Sequence, residues 1–295
     1  LRATGLGSMP VGAAVNVEPR DLGRARHRRV RGPPLGQPLQ PDLPNWAWHE
    51  YGMRVGFWRL HDALKNLGIV PTLAINGVVC ETYPRVAQAA LEAGWEFMGH
   101  GFVQGPMHAL ENQRDSIAQT VRAIKKFTGQ APKGWESPGL TETSDTIDYL
   151  SEAGIEYVAD WVFDDQPVWI PAAPKPVLSV PYSVEINDIP MLLLQSHSAA
   201  EFYDRGVAQI DRLWAESATI PRVMAISVHP YITGAPHRIA VFEQLLSYVK
   251  SKTGVVIRTG LEINDWYRAQ VPPPAWLSRR FICGIGASPL FSSFP

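Results

Sequence analysis

The chain has 295 residues, with 27 Lys and Arg against 28 Asp and Glu, giving a formal net charge of −1. At 45% hydrophobic and 19% charged it can bury a sizeable core, which excludes intrinsic disorder, and its neutrality argues against nucleic acid or an anionic membrane as partner. No run of about 18 apolar residues marks a membrane span, residues 1–10 lack the pattern of a secretory signal, and two cysteines, Cys80 and Cys283, give no disulfide framework, so free thiols in a reducing cytoplasm are expected.

Residues 11–17 form the first predicted strand. Six arginines between Arg20 and Arg31, followed by Pro33, Pro34, Pro38 and Pro41, read as a solvated, meandering connection, and 19–50 as one Pro-rich loop. Apolar residues at helical spacing (Val55, Phe57, Trp58, Leu60, Leu64, Leu67) predict a helix over 54–67, closed by Gly68. A β-rich run follows at 69–75, then a helix at 83–93 and a short strand at 95–98 that leads into Gly99-His100-Gly101. A helix at 114–127, a strand at 133–136, a helix at 144–153 and a strand at 156–159 continue the alternation. Strands are predicted at 177–180 and 191–194, with a strand-like run at 184–186. The last elements are a helix at 199–217, a strand at 222–228, a helix at 238–251, a strand at 255–258 and a helix at 261–267. Such alternation implies parallel strands, because each crossover needs a helix. The expectation is one (β/α) barrel over 11–270, between a flexible N-terminus (1–10) and an irregular tail (271–295). An open doubly wound sheet competes, but no Gly-rich phosphate fingerprint follows any strand.

Active groups of such a barrel gather where strands end. Glu18 follows the first strand, His100 and Gln104 the one at 95–98, Ser137 and Pro138 the one at 133–136. Asp160, Trp161, Asp164 and Asp165 follow 156–159, and His229, Pro230 and Tyr231 follow 222–228. His229 is the candidate general acid–base or metal ligand. His100, between two glycines, has room for a ligand to approach the main chain. Glu18 is a candidate base or oxygen ligand, its alternative being an ion pair with the nearby arginines. Asn187 and Asp188 offer hydrogen-bonding groups for a polar ligand, their alternative being an Asx turn. His49, His61, His197 and His237 are set aside as ligands, and His108, near a helix start, reads as exposed.

These strand-end residues, with the run at 44–56, Gly99-His100-Gly101-Phe102, Gly134-Trp135-Glu136-Ser137-Pro138-Gly139, Ala159-Asp160-Trp161, Asn187-Asp188 and His229-Pro230-Tyr231, resemble the polysaccharide deacetylase superfamily. Within it they resemble the branch of cyclic imide hydrolases and metal-independent allantoinases. The resemblance implies an α/β fold of the distorted (β/α)7 barrel type, with the site at the strand carboxyl ends. It also implies a homo-oligomer, dimer or tetramer, for which the Trp- and Pro-rich loop 38–48 offers contacts. Metal-using members end their first strand in an Asp pair and carry two histidines four apart. Here Glu18-Pro19 replaces the pair and Gln104 the second histidine, so His100, Glu18 and Gln104, with His108 near, are what remains to hold a divalent metal such as zinc.

The resulting expectation is hydrolytic opening of a small cyclic amide or imide. Water, activated by Glu18 or a metal, attacks a ring carbonyl, donors near Ser137 hold the oxyanion, and His229 protonates the departing nitrogen. Ser137, Pro138, Trp161, Asn187, Asp188 and Tyr231 are the expected substrate contacts, with Trp135 and Trp161 as flat walls. N-deacetylation of an amino sugar and a ligand-binding barrel without activity are the alternatives.

Overall fold

A computed structural model describes residues 9–17 and 42–278; Glu18, the arginine-rich stretch, Cys283 and the end of the tail lie outside the described residues. The chain runs β1 (Met9–Val17), α1 (Leu43–Tyr51), a π-helical segment (Gly52–Gly56), α2 (Phe57–Asn66), β2 (Thr72–Ile75), α3 (Val79–Thr82), α4 (Pro84–Glu92) and β3 (Glu96–Gly99). It continues with α5 (Gln113–Thr128), β4 (Gly134–Trp135), α6 (Thr146–Glu152), β5 (Tyr157–Val158), β6 (Val168–Ile170) and β7 (Val177–Ser179). The last elements are α7 (Ala199–Glu216), β8 (Met224–Val228), α8 (Pro236–Ser251), β9 (Val255–Arg258) and α9 (Gly260–Gln270). The strands lie in the order β6-β7-β5-β4-β3-β2-β1-β8, with β9 paired to the start of β1. All described pairings are parallel except β6 with β7. This is the expected α/β architecture of parallel strands and covering helices. The ladder does not close: between β7 and β8 a single parallel bridge, Asn187 to Ser227, joins the two sides.

Alternation along the strands sorts the sheet into two faces. Leu73, Ile75, Phe97, Ile226 and Val228 belong to a cluster with Phe57, Leu60 and Leu64 of α2, Ala87 and Ala90 of α4, and Phe242, Leu245 and Leu246 of α8. Each such side chain, fully buried, contributes about 1.5–3 kcal/mol. The opposite parity fills the interior. Thr72 pairs with Glu96, and Ala74 with Met98; Ala74, Met98, Tyr157, Leu178 and Val180 pack together there. Helix ends follow local chemistry. Asn112 caps α5 and Gly129 ends it in the left-handed region, while Ser198-Glu201 and Thr259-Glu262 form capping boxes on α7 and α9.

At the floor, Glu96 accepts hydrogen bonds from Thr72 Oγ1 (2.7 Å), Tyr157 Oη (2.6 Å) and the Leu261 amide (3.0 Å), and Gly260 N–H donates to Thr72 (2.7 Å). The start of α9 is thereby fixed across the bottom of the sheet. Burial pushes the Glu96 carboxyl above its usual range against these donors. The Tyr157 ring fills the space that Gly134 and Gly260 leave by lacking a side chain.

Two sequence expectations change. Residues 191–194, expected as a strand, lie in a π-helical segment (Ile189–Leu194), and 184–186 form a 3₁₀ turn (Val184–Ile186). Pro190 has no N–H for a ladder, and the Asn187 side chain accepts from Ile189 N (2.9 Å), turning the chain. The loop expected over 19–50 ends early, because Asp42 caps α1 by accepting from Asn45 N (3.2 Å) with Pro44 in the first turn.

A Cβ at Gly134 would overlap the Tyr157 ring. Gly134→Ala is therefore expected to lower stability by about 1–3 kcal/mol, read as a reduced urea midpoint at unchanged slope.

Candidate active site

The site is built one step beyond the inward-facing strand residues. Extending the register by two places Asn76 after Ala74, His100 after Met98 and Glu136 after Gly134, all at most 2% exposed. His100 Nδ1 bonds the Glu136 carbonyl (2.7 Å), which makes Nδ1 the donor and turns Nε2 to the opposite side of the ring. Asn76 Nδ2 donates to the His100 carbonyl and to Gln104 Oε1 (3.2 Å).

Across the opening, β8 ends in His229. Its Nδ1 and the Asp188 carboxylate are 2.6 Å apart, and Asp188 also accepts from the His229 amide (2.8 Å) and Thr233 Oγ1 (2.6 Å). An acceptor-only carboxylate makes Nδ1 the protonated nitrogen, so in the neutral ring Nε2 is the basic nitrogen. The Asn187–Ser227 bridge explains the placement: it sets residue 188 beside the end of β8. Asn187 itself is occupied, donating to Tyr182 Oη (2.7 Å) while its oxygen closes the Asx turn. The structure thus gives Asp188 to His229 and Asn187 to the backbone, where substrate contacts were expected of both.

The π-helical segment presses against the loop after β8. Gly52 lies against Tyr231, and Gly56 against the Pro230 carbonyl and Gly234, where side chains would collide. This contact lays His49 on the Tyr231 ring (centroids 4.1 Å apart) with Trp48 edge-on (5.1 Å), and Tyr231 stands 5.9 Å from the His229 ring. His49 Nδ1 is held by the Asn45 carbonyl (2.8 Å). His49, set aside from sequence, therefore belongs to the aromatic wall of the site.

Ser137 is committed to internal bonds. Its amide donates to Asp160 Oδ1 (2.5 Å), its hydroxyl donates to Glu142 Oε1 (3.2 Å) and accepts from Trp135 Nε1 (3.0 Å). It positions a loop and does not supply the donors expected of it for an oxyanion. Gly139 and Leu140 (φ 65° and 54°) turn that loop so that Glu142 returns to Asp160. Burial raises both carboxyl groups above their usual range; Glu142 raises Asp160 further, while hydrogen bonds from Asp160 and Ser137 act against the burial of Glu142. Pro138 is buried against Gly101. Trp135 is fully buried and packs with Ile117, Leu150 and Val158 on the outer face, and Trp161 leans on that cluster beside Phe163 (5.4 Å). Neither tryptophan forms the expected inner wall.

No three His, Cys, Asp or Glu side chains converge on one point among the described residues. Among the described residues His100 and Gln104 offer one imidazole and one neutral amide whose oxygen already accepts from Asn76; Glu18 lies outside them, and the described donors alone do not complete a divalent-cation site. His108 is exposed. Cys80 is a buried thiol whose burial pushes it up to about 11, so it is not a nucleophile. Among the described residues no helix is long and apolar enough to cross a membrane.

Comparison with known proteins agrees with this geometry. The sequence profile of the family described as polysaccharide deacetylase matches residues 49–158, the stretch from the aromatic wall to β5. A Schizosaccharomyces pombe relative assigned to the polysaccharide deacetylases is 28% identical over 242 residues, 76% of each chain. Among solved structures, PuuE allantoinase superposes with a TM-score of 0.83 at 26% identity, covering 90% of this chain and 92% of its own. A Pseudomonas aeruginosa PAO1 protein assigned as a polysaccharide deacetylase matches with a TM-score of 0.83 at 26% identity, over 90% and 93%. Over residues 49–158 the chain thus has the sequence pattern of a polysaccharide deacetylase domain, and over 90% of its length it has the fold of these two structures.

The raised carboxyl groups have a measurable consequence. Raised folded-state pKa values mean that the native protein keeps a proton the unfolded chain has lost, so stability is full below the unfolded carboxylate pKa and falls as pH rises through the folded values. Urea midpoints measured from pH 5 to 8 are expected to fall with pH, and to fall less steeply in Glu142→Gln, where Asp160 gains an uncharged partner. Glu96 adds a slope common to both proteins.

Proposed function

We propose that this chain hydrolyses the C–N bond of a small cyclic amide, an imide or ureide ring. The carrying observation is enclosure: Asn76, His100, Glu136, Asp188 and His229 are each no more than 2% exposed. A polysaccharide chain needs an open groove to bring its acetamido group to such residues, whereas a small ring can be enclosed by them. Two features support the same reading. The superposed PuuE structure is an allantoinase, and a neutral amide, Gln104, stands where the resemblance places a second histidine.

In this reading water attacks one ring carbonyl and a rim carboxylate takes its proton. By sequence that base is Glu18; in the structure Glu136 stands beside His100. His229, held by Asp188, delivers a proton to the ring nitrogen as the C–N bond breaks, giving an open amide and a carboxylate. Tyr231, braced by His49 and Trp48, supplies a flat apolar surface beside the acid. None of these steps is routed through a metal, because the described donors alone do not complete a site for one.

The tests are direct. Asp188→Asn keeps the shape but reverses the hydrogen bond that fixes the His229 tautomer, so kcat for ring opening of succinimide, hydantoin or allantoin is expected to fall by about 10²–10⁴ with KM little changed. His229→Ala with undiminished turnover would exclude its role as the acid. Acetate release from chitooligosaccharides, without opening of any ring, would move the protein to deacetylation. Chelation is expected to leave ring opening unchanged; loss of activity that returns with added zinc would restore a metal site completed by Glu18.

A further inference from the structure

We infer that Asn76 and Gln104 act as a couple that reads the amide edge of the ring, an inference that rests on the proposed ring-opening reaction. Asn76 is wholly buried at the end of β2. Its orientation is decided by its partners: the group that meets both the His100 carbonyl and Gln104 Oε1 must be the amide nitrogen. Asn76 Oδ1 is then left buried with no hydrogen-bond donor. A buried acceptor without a donor is destabilising, and a fold keeps one where a ligand completes it. Gln104 is half-buried beside it. Because its oxygen is taken by Asn76, its Nε2 is the group left to donate. The couple therefore offers one acceptor and one donor, joined through the 3.2 Å bond between them.

That pattern has a specific complement. In a five- or six-membered ring the amide is constrained to the cis form, so its N–H and C=O project from the same edge. Ring N–H donates to Asn76 Oδ1, and ring C=O accepts from Gln104 Nε2. An open-chain secondary amide is trans, presents the two groups on opposite sides and cannot satisfy both. The site thereby prefers the closed substrate over an acetamido group, and loses its grip when the ring opens. The strand order carries the geometry further. β1 lies between β2 and β8, so Asn76 and His229 end strands separated by about 10 Å, twice the ordinary strand spacing. A single ring spans that gap, with its amide edge at the couple and its other edge towards His229.

The prediction concerns discrimination and not activity alone. For the wild-type protein, kcat/KM on hydantoin, which can place one N–H and its carbonyl at the couple and its other ring nitrogen towards His229, is expected to exceed that on hydantoin methylated at the recognised nitrogen by about 100-fold or more. Asn76→Leu should collapse this preference to about tenfold or less, because no acceptor then waits for the N–H. Gln104→Met, at a half-buried position that tolerates change, should raise KM by about 10- to 100-fold while kcat is kept, since the couple binds and does not carry the proton. Folding of each variant is checked by its urea midpoint. A wild-type protein that opens the parent ring, with the methyl preference and KM unaltered in both variants, overturns the couple alone. A wild-type protein that opens neither ring overturns the underlying reaction instead.

Discussion

The site depends on the two-residue period of the strands beneath it. Thr72, Ala74 and Asn76 share one side of β2 and its extension, as Glu96, Met98 and His100 do on β3. The same alternation that buries Ala74 and Met98 in the interior lifts the next inward residue to the rim. A slip of one residue would carry His100 under α5 and bring the Trp135 ring, now packed against Gly99, inside. Register is held from below by the Glu96, Thr72 and Tyr157 hydrogen bonds and from outside by the helix cluster. Chemistry at the top is thus fixed by polar bonding at the floor.

Neutral groups have taken over positions where charge would be expected. Gln104 stands at the rim as a neutral amide bonded to Asn76, and burial disfavours charge on Glu142 and Asp160. Ser137 joins these two carboxyl groups to Trp135 and so to the outer layer. The result is a rim whose working groups, apart from the acid–base pair and Glu136, are amides and rings. Such a surface suits an uncharged planar ligand better than a polyanion, in line with the balanced charge of the chain.

The parallel α/β order, the helix faces and the strand-end positions of His100 and His229 were legible in the sequence, because apolar period and strand-end position are local signals. What the sequence concealed was partnership. Asp188 lies within an Asx turn and comes to His229, 41 residues on, through one backbone bridge between Asn187 and Ser227, which no periodicity announces. His49 lies in a helix whose cap, Asp42 followed by Pro44, was readable, yet its role comes from the close approach of Gly52 to Tyr231. Asn76 and Glu136 were within reach of a simple rule, namely to continue each inward parity two residues past the last apolar position. The tryptophan surplus misled in the opposite direction, since Trp135 and Trp161 serve the outer packing.

Enclosure also bears on the fate of the acyl group. A cavity of about 30 Å³ below the rim, lined by residues that include Met98, Tyr157, Val180 and Tyr182, holds no more than one or two waters. Under the proposed ring opening, burial of the rim side chains would leave water as an acceptor small enough to reach the carbonyl, and alcohols, amines and sugar hydroxyls would be excluded by size. The choice of acceptor would then rest on the walls around the site and not on the reactivity of any one side chain.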